Sequence, residues 1–119
     1  MTDKVIVLTT CGKFEDAEKL AQGLIEKRLA ACVNVVSGVR SYYRWQGKIE
    51  NDAEFLLIVK TARGLVDQLR LELEKVHPYE LPELIVAPII DGSPNYLAWL
   101  DREVAAEAPP PAAEGPTAV

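Results

Sequence analysis

Few side chains in this 119-residue chain are suited to soft-metal or nucleophilic chemistry. Thiolate and imidazole are the ligands soft ions prefer. The sequence offers Cys11, Cys32 and one histidine, His77, with Glu80 and Glu83 close behind it. No Cys-x-x-Cys or His-x-x-x-His spacing occurs, so ligand count excludes a self-contained structural zinc site. Cys11 precedes Gly12 at the approach to a predicted helix, where a thiol can lose its proton easily and expose its sulfur. The other reading makes it an inert turn residue. Cys32 stands at the start of a strand, either as a ligand or as a small hydrophobe packed in the sheet. His77 ends a helix, where the dipole favours a cation, ahead of Pro78-Tyr79-Glu80-Leu81-Pro82. It either caps the last carbonyls and packs on Tyr79, or holds an ion or small ligand with Glu80 and Glu83. Lys60 and Glu54, set among apolar strand residues, are candidates for an interface ion pair, a kind of pair that more often sets register than does chemistry. Gly-x-Gly-x-x-Gly, the P-loop and Gly-x-Ser-x-Gly are all missing. A Cys11–His77 nucleophile pair has no orienting third residue. The chain reads as a non-enzyme.

The elements that must position these groups alternate regularly. Residues 5–10 form a continuous β-branched run, as in a strand covered on both faces. Phe14, Ala17, Leu20, Ala21, Leu24 and Ile25 then follow a helical period, with Glu15 and Asp16 in the first turn and Lys27 and Arg28 in the last. Strand chemistry returns at 31–36, bends or bulges at Ser37-Gly38, and continues over 39–45. Gln46-Gly47 reads as a hairpin turn, although Gln is a poor first turn residue. The partner strand covers 48–61, with an irregularity expected at Asn51-Asp52. Leu65, Val66, Leu69, Leu73 and Val76 mark a second helix, stopped by His77-Pro78. Residues 84–90 form a fourth strand, with Pro88 at an edge or an end. Ser93-Pro94 caps a last helix holding Leu97, Leu100 and Val104. Strand-helix-strand twice, plus a final helix, is the α+β, ferredoxin-like βαββαβ pattern.

Thirteen Lys plus Arg against eighteen Asp plus Glu leave a net charge of −5. That balance argues against a phosphate-tracking surface, so nucleic acid and anionic lipid are excluded as partners. No apolar run reaches the ~18–20 residues needed to span a bilayer, and the N-terminus lacks a signal-peptide pattern. Two cysteines are too few for a disulfide scaffold. A cytoplasmic single domain over residues 1–104 is expected. Residues 105–119, rich in Pro and Ala, are read as a disordered tail.

The predicted hairpin is too long for its body. Fifteen extended residues span ~50 Å at ~3.3 Å each, whereas a globule of ~100 residues has a radius of gyration near 13 Å. The tip must project, yet it carries Tyr42, Tyr43, Trp45 and Ile49. Exposed aromatic ribbons need a partner, and an isolated hairpin is marginal in water. Self-association, each arm lying along a neighbour, answers both; the competing arrangement folds the arm back at Ser37-Gly38.

Five ordered stretches carry a resemblance: Leu29-Ala30-Ala31-Cys32-Val33-Asn34; Ser41-Tyr42-Tyr43-Arg44-Trp45-Gln46-Gly47-Lys48; Leu57-Ile58-Val59-Lys60-Thr61; His77-Pro78-Tyr79-Glu80-Leu81-Pro82-Glu83; and Tyr96-Leu97-Ala98-Trp99-Leu100. With them the sequence resembles the CutA divalent-cation tolerance family over residues 5–103. The resemblance implies a ferredoxin-like subunit in a tight homotrimer of interlocked hairpins, linked to copper and other divalent metals. A trimer multiplies ligands: one per chain near a symmetry axis makes three. Cys11, Cys32, His77 and Glu80 are then the candidate ligands for Cu or another divalent ion. Tyr42, Tyr43, Trp45, Ile49, Tyr79 and Trp99 are the candidate interface residues. The family is also similar in build to PII signalling trimers. An alternative function is therefore a PII-like sensor of a small anionic ligand held between subunits, with Arg40, Arg44, Lys60 and Arg63 as candidate basic groups.

Overall fold

A computed structural model describes residues 2–104; the expected tail at 105–119 lies outside the described residues. The order is β1 (Lys4–Cys11), α1 (Phe14–Glu26), β2 (Cys32–Trp45), β3 (Lys48–Ala62), a 3-10 turn (Arg63–Leu65), α2 (Val66–Val76), β4 (Ile85–Pro88) and α3 (Pro94–Glu103). The four strands make one antiparallel sheet in the order β2-β3-β1-β4. This is the ferredoxin-like arrangement, with β2 and β4 as free edges. No described helix is long and apolar enough to cross a membrane.

Side chains on a strand alternate between faces, and here the two faces differ. Val5 and Val7 of β1 and Leu57 and Val59 of β3 are fully buried on one side, against Leu20 and Leu24 of α1 and Leu69 and Leu73 of α2. On the other side α3 covers one end only. Its Leu100 is fully buried, and its Asp101 takes Lys4 Nζ at 2.9 Å. Asp3 also accepts from Lys4, which is only 5% exposed. Burial alone would lower the Lys4 pKa, but the two carboxylates outweigh it and raise it. Beyond α3, Ile6, Leu8, Leu56 and Ile58 remain half-exposed.

Helix ends differ from expectation in detail. α1 stops at Glu26, with Lys27 as its C-cap and Arg28 in the left-handed region at φ 58°, so no basic residue lies in the last turn. The Leu29 and Ala30 amides then close on the Leu24 carbonyl at 2.9 and 3.3 Å, satisfying a carbonyl that the helix end leaves open. Ser93 is the N-cap of α3 and Pro94 its first residue, but the Ser93 hydroxyl makes no cap bond.

The hairpin projects, giving extents of 52 × 28 × 26 Å and a radius of gyration of 15.3 Å. Its root is the bulge expected at Ser37-Gly38. Register moves from Val36↔Leu56 to Val39↔Glu54, one extra residue on β2, with Gly38 at φ 80°. No irregularity occurs at Asn51-Asp52, which pair regularly with Tyr42 and Ser41. Gln46 and Gly47 both have positive φ, 50° and 82°. That geometry suits a two-residue turn whose twist matches the strands.

Candidate functional site

Register separates the two cysteines. Cys11 lies opposite Phe55 and Cys32 opposite Lys60, on either side of β3. They stand ~16 Å apart along that strand at ~3.3 Å per residue, and the odd separation puts them on opposite faces. One chain therefore cannot use both on one ion. Among the described residues no three His, Cys, Asp or Glu side chains gather closely enough to hold a metal.

Of the two readings of Cys11, the structure corrects the exposed, readily ionised thiol, and it also places the residue in β1 and not in a turn. Its side chain is fully buried in the helix-side core, and the thiol donates to the Lys13 carbonyl at 3.7 Å. Burial, with Asp16 adding to it, pushes the thiol pKa up.

His77 is buried, and both ring nitrogens are engaged. Nδ1 accepts from the Tyr79 amide at 3.0 Å, which leaves Nε2 to donate to the Thr10 carbonyl at 2.8 Å. The ring is thereby a neutral clamp between the end of β1 and the loop after α2, with the Tyr79 ring 4.8 Å away. A metal would have to displace one of these bonds. Glu80 is exposed on the same loop.

Glu54 and Lys60 of one chain are too far apart to pair, so the interface ion pair suggested for them would need two copies. They lie six positions apart on β3, ~20 Å at ~3.3 Å per residue. Glu54, 7% exposed, instead accepts from the Tyr79 hydroxyl at 2.6 Å. Burial, then the Glu54 bond, pushes the Tyr79 pKa far above its ordinary value. Glu83 is exposed, yet partial shielding and the Glu54 charge raise its pKa too. The sequence carried one signal for this pairing: an acid at the start of an apolar strand run must find a donor.

Cys32 is half-buried on β2. Lys60 Nζ lies 3.9 Å from its sulfur and also donates to Asn34 Oδ1. Tyr96 of α3 stands beside it, its pKa raised by burial and then by Cys32. A groove of about 380 Å³ opens next to Cys32, between Ala21 and Ile25 of α1 and Trp99 of α3. Trp99 packs on Tyr96 with ring centroids 5.5 Å apart.

The basic candidates do not converge within the chain. Arg40 and Arg44 lie on the arm, Arg40 donating to Asn51 Oδ1 at 2.9 Å. Lys60 pairs with Cys32 at the far end of β2, and Arg63 lies beyond β3.

Residues paired across antiparallel strands share a face, so the arm has two faces of opposite character. Arg40, Tyr42 and Arg44 share one with Asn51 and Ile49. Tyr43 and Trp45 share the other with Lys48, Glu50, Asp52 and Glu54. Tyr42 and Ile49 are each 71% exposed. Tyr43 donates to Asp52, and that bond is the main cause raising its pKa to about 12.

A four-stranded ferredoxin-like fold with a projecting, two-faced arm is the class these features define. Residues 5–103 match the family model described as CutA1 divalent ion tolerance protein, and the chain belongs to that family. It is 45% identical over 95 residues to the divalent-cation tolerance protein CutA of Thermus thermophilus, covering 80% of this chain and 92% of that one. Protein CutA of Mus musculus is 45% identical over 93 residues, 78% of this chain, and the chain spans about half of that longer relative, 52%. The crystal structure of CutA from Xylella fastidiosa superposes with a TM-score of 0.85 at 39% identity, covering 87% of this chain and 100% of that one.

Proposed function

We propose that the chain works as a non-enzymatic divalent-cation tolerance protein built from identical copies, with Cu or another divalent ion held between copies. The copy number, three, follows the resemblance drawn above. The observation that carries the reading is the arm. It extends the molecule to 52 Å while leaving Tyr42 and Ile49 each 71% exposed, beside a sheet face whose Ile6, Leu8, Leu56 and Ile58 are half-covered. A second copy is the partner that fits. The basic arm face complements the acidic one, so a head-to-tail contact pairs opposite charges, whereas like face on like face repels. Contacts of that kind close into a ring when the rotation between copies closes, and both free sheet edges give a neighbour a place to lie.

Self-assembly also supports the metal reading, because one ligand per chain becomes three. Cys32, half-buried, and Glu80, exposed, are the proposed ligands. Cys11 and His77 would join them only after local opening. The rival PII-like sensor needs basic groups to converge between copies; within one chain Arg40 and Arg44 lie apart from Lys60 and Arg63, so a neighbour would have to bring them together. The free thiols favour a reducing compartment such as the cytoplasm.

Competition titration with Cu(I), Cu(II) and Zn(II) tests the proposal on the wild type, Cys32→Ser and Glu80→Gln. The expected result is tight binding of no more than one ion per chain, weakened by Cys32→Ser. Binding no tighter than that of an unrelated acidic protein overturns the metal reading.

A further inference from the structure

The arm leaves the sheet at its weakest point. The bulge at Ser37-Gly38 breaks the β2–β3 ladder between Val36 and Val39, and Glu54 is the first β3 residue beyond it. Among the described residues, the bond from the Tyr79 hydroxyl to Glu54 is the one side-chain hydrogen bond that joins residues 39–54 to the rest of the chain. Arg40–Asn51 and Tyr43–Asp52 are internal to the arm.

Tyr79 is itself held firmly at its other end. Its amide donates to His77 Nδ1, and the His77 ring donates onward to the Thr10 carbonyl on β1. Pro78 and Pro82 stiffen the loop on either side. Gly12, next along the chain from β1, leaves room for the phenol: a Cβ there would come 3.2 Å from the Tyr79 hydroxyl. The loop also offers a handle to solvent, since Glu80 is exposed and Leu81 is 72% exposed.

We propose that Tyr79 is a latch: by holding the buried Glu54 carboxylate at the arm's root it couples the position of loop 77–84 to how firmly the arm is fixed to the sheet. Glu54 is only 7% exposed, and the phenol is its one side-chain partner among the described residues. Withdrawing the phenol leaves a buried charge without a donor, a costly state. Opening the root is the nearest way to hydrate it, because the ladder there is already broken by the bulge. A displacement of loop 77–84 therefore loosens the arm, and a fixed loop stiffens it. The coupling is internal to one chain and stands whether or not copies assemble.

Hydrogen exchange on the full chain tests this with Tyr79→Phe, which removes only the hydroxyl. Amides at 36–40 and 53–55 should exchange roughly tenfold faster, the factor supported by the net strength of one hydrogen bond to a charged group. The core amides of Val7 and Val59 should not change. Glu54→Gln, whose amide oxygen still accepts from Tyr79 and carries no charge, should stay near the wild type. Gly12→Ala, which crowds the hydroxyl, should give a smaller rise at the same amides. Unchanged exchange at the root in Tyr79→Phe overturns the latch. So does a rise that is equal at Val7 and Val59, which marks general destabilisation. Light scattering on the same samples separates assembly from latch: a rise confined to samples whose mass has fallen assigns the protection to a neighbouring copy and overturns the inference.

Discussion

Tyr42→Ala separates folding from assembly most sharply. Tyr42 is 71% exposed on the basic arm face, opposite Asn51 and diagonal to Ile49. Within one chain it contributes little, so fold stability at high denaturant resolution should change by less than about 0.5 kcal/mol, as for other surface positions. Assembly is different. A covered aromatic side chain buries ~150–250 Å² at ~25 cal/mol per Å². The exposed 71% therefore leaves about 3–4 kcal/mol for a neighbour to recover at that rate. Ordering and desolvation costs of association take a share, leaving on the order of 2 kcal/mol, or roughly a 30-fold weaker contact. Sedimentation equilibrium across a wide dilution series reads this directly: the variant should dissociate at concentrations where the wild type stays assembled. Identical mass for both throughout the series would refute the arm argument. So would a variant that has lost its fold, because the chain would then need Tyr42 for its own core.

Three further outcomes follow from individual residues. Thr9 is fully buried with its hydroxyl unpartnered, so Thr9→Val should raise stability by about 1 kcal/mol, read as a higher urea midpoint at unchanged slope; a lower midpoint contradicts it. Gln46 holds φ 50° in the tip turn, and Gln46→Asn should add about 0.5 kcal/mol because Asn tolerates that region better. Cys11 and Tyr79 both have raised pKa values. Each folded-state group holds its proton more tightly than the unfolded chain does, so its stabilising contribution is complete below the ordinary pKa and is lost as pH rises through the folded value. Urea midpoints should therefore begin to fall above pH 9.0, the ordinary thiol value, and Cys11→Ala should flatten the first part of that fall.

Patterns that depend on periodicity were legible in the sequence. The buried Ala17, Leu20 and Leu24 of α1 and Leu69 and Leu73 of α2 follow the helical spacing, and Gly38 marked the bulge through its missing side chain. The projecting arm followed from length alone. The candidate site was less legible because its groups meet across the fold. The approach to a helix leaves Cys11 open to either exposure or inertness, and the alternation of β1 turns it into the core with Val5 and Val7. Glu54 sits on the same strand as Lys60, too far along it to pair within one chain, and its partner Tyr79 comes from a loop 25 positions later. The place of His77 at a helix end points to the helix carbonyls, whereas its ring is fixed by Thr10 on β1. Periodicity gives faces, but it does not say which loop closes over which strand.

Native mass spectrometry of the intact protein, with and without added copper, tests the central claim most directly because it counts chains and ions in one particle. The account predicts three chains as the dominant species, with bound copper in one or three ions per particle and Cys32→Ser losing the ions while keeping the three chains. A single chain that binds copper stoichiometrically would contradict it, as would a three-chain particle that takes up no more copper than an unrelated acidic protein.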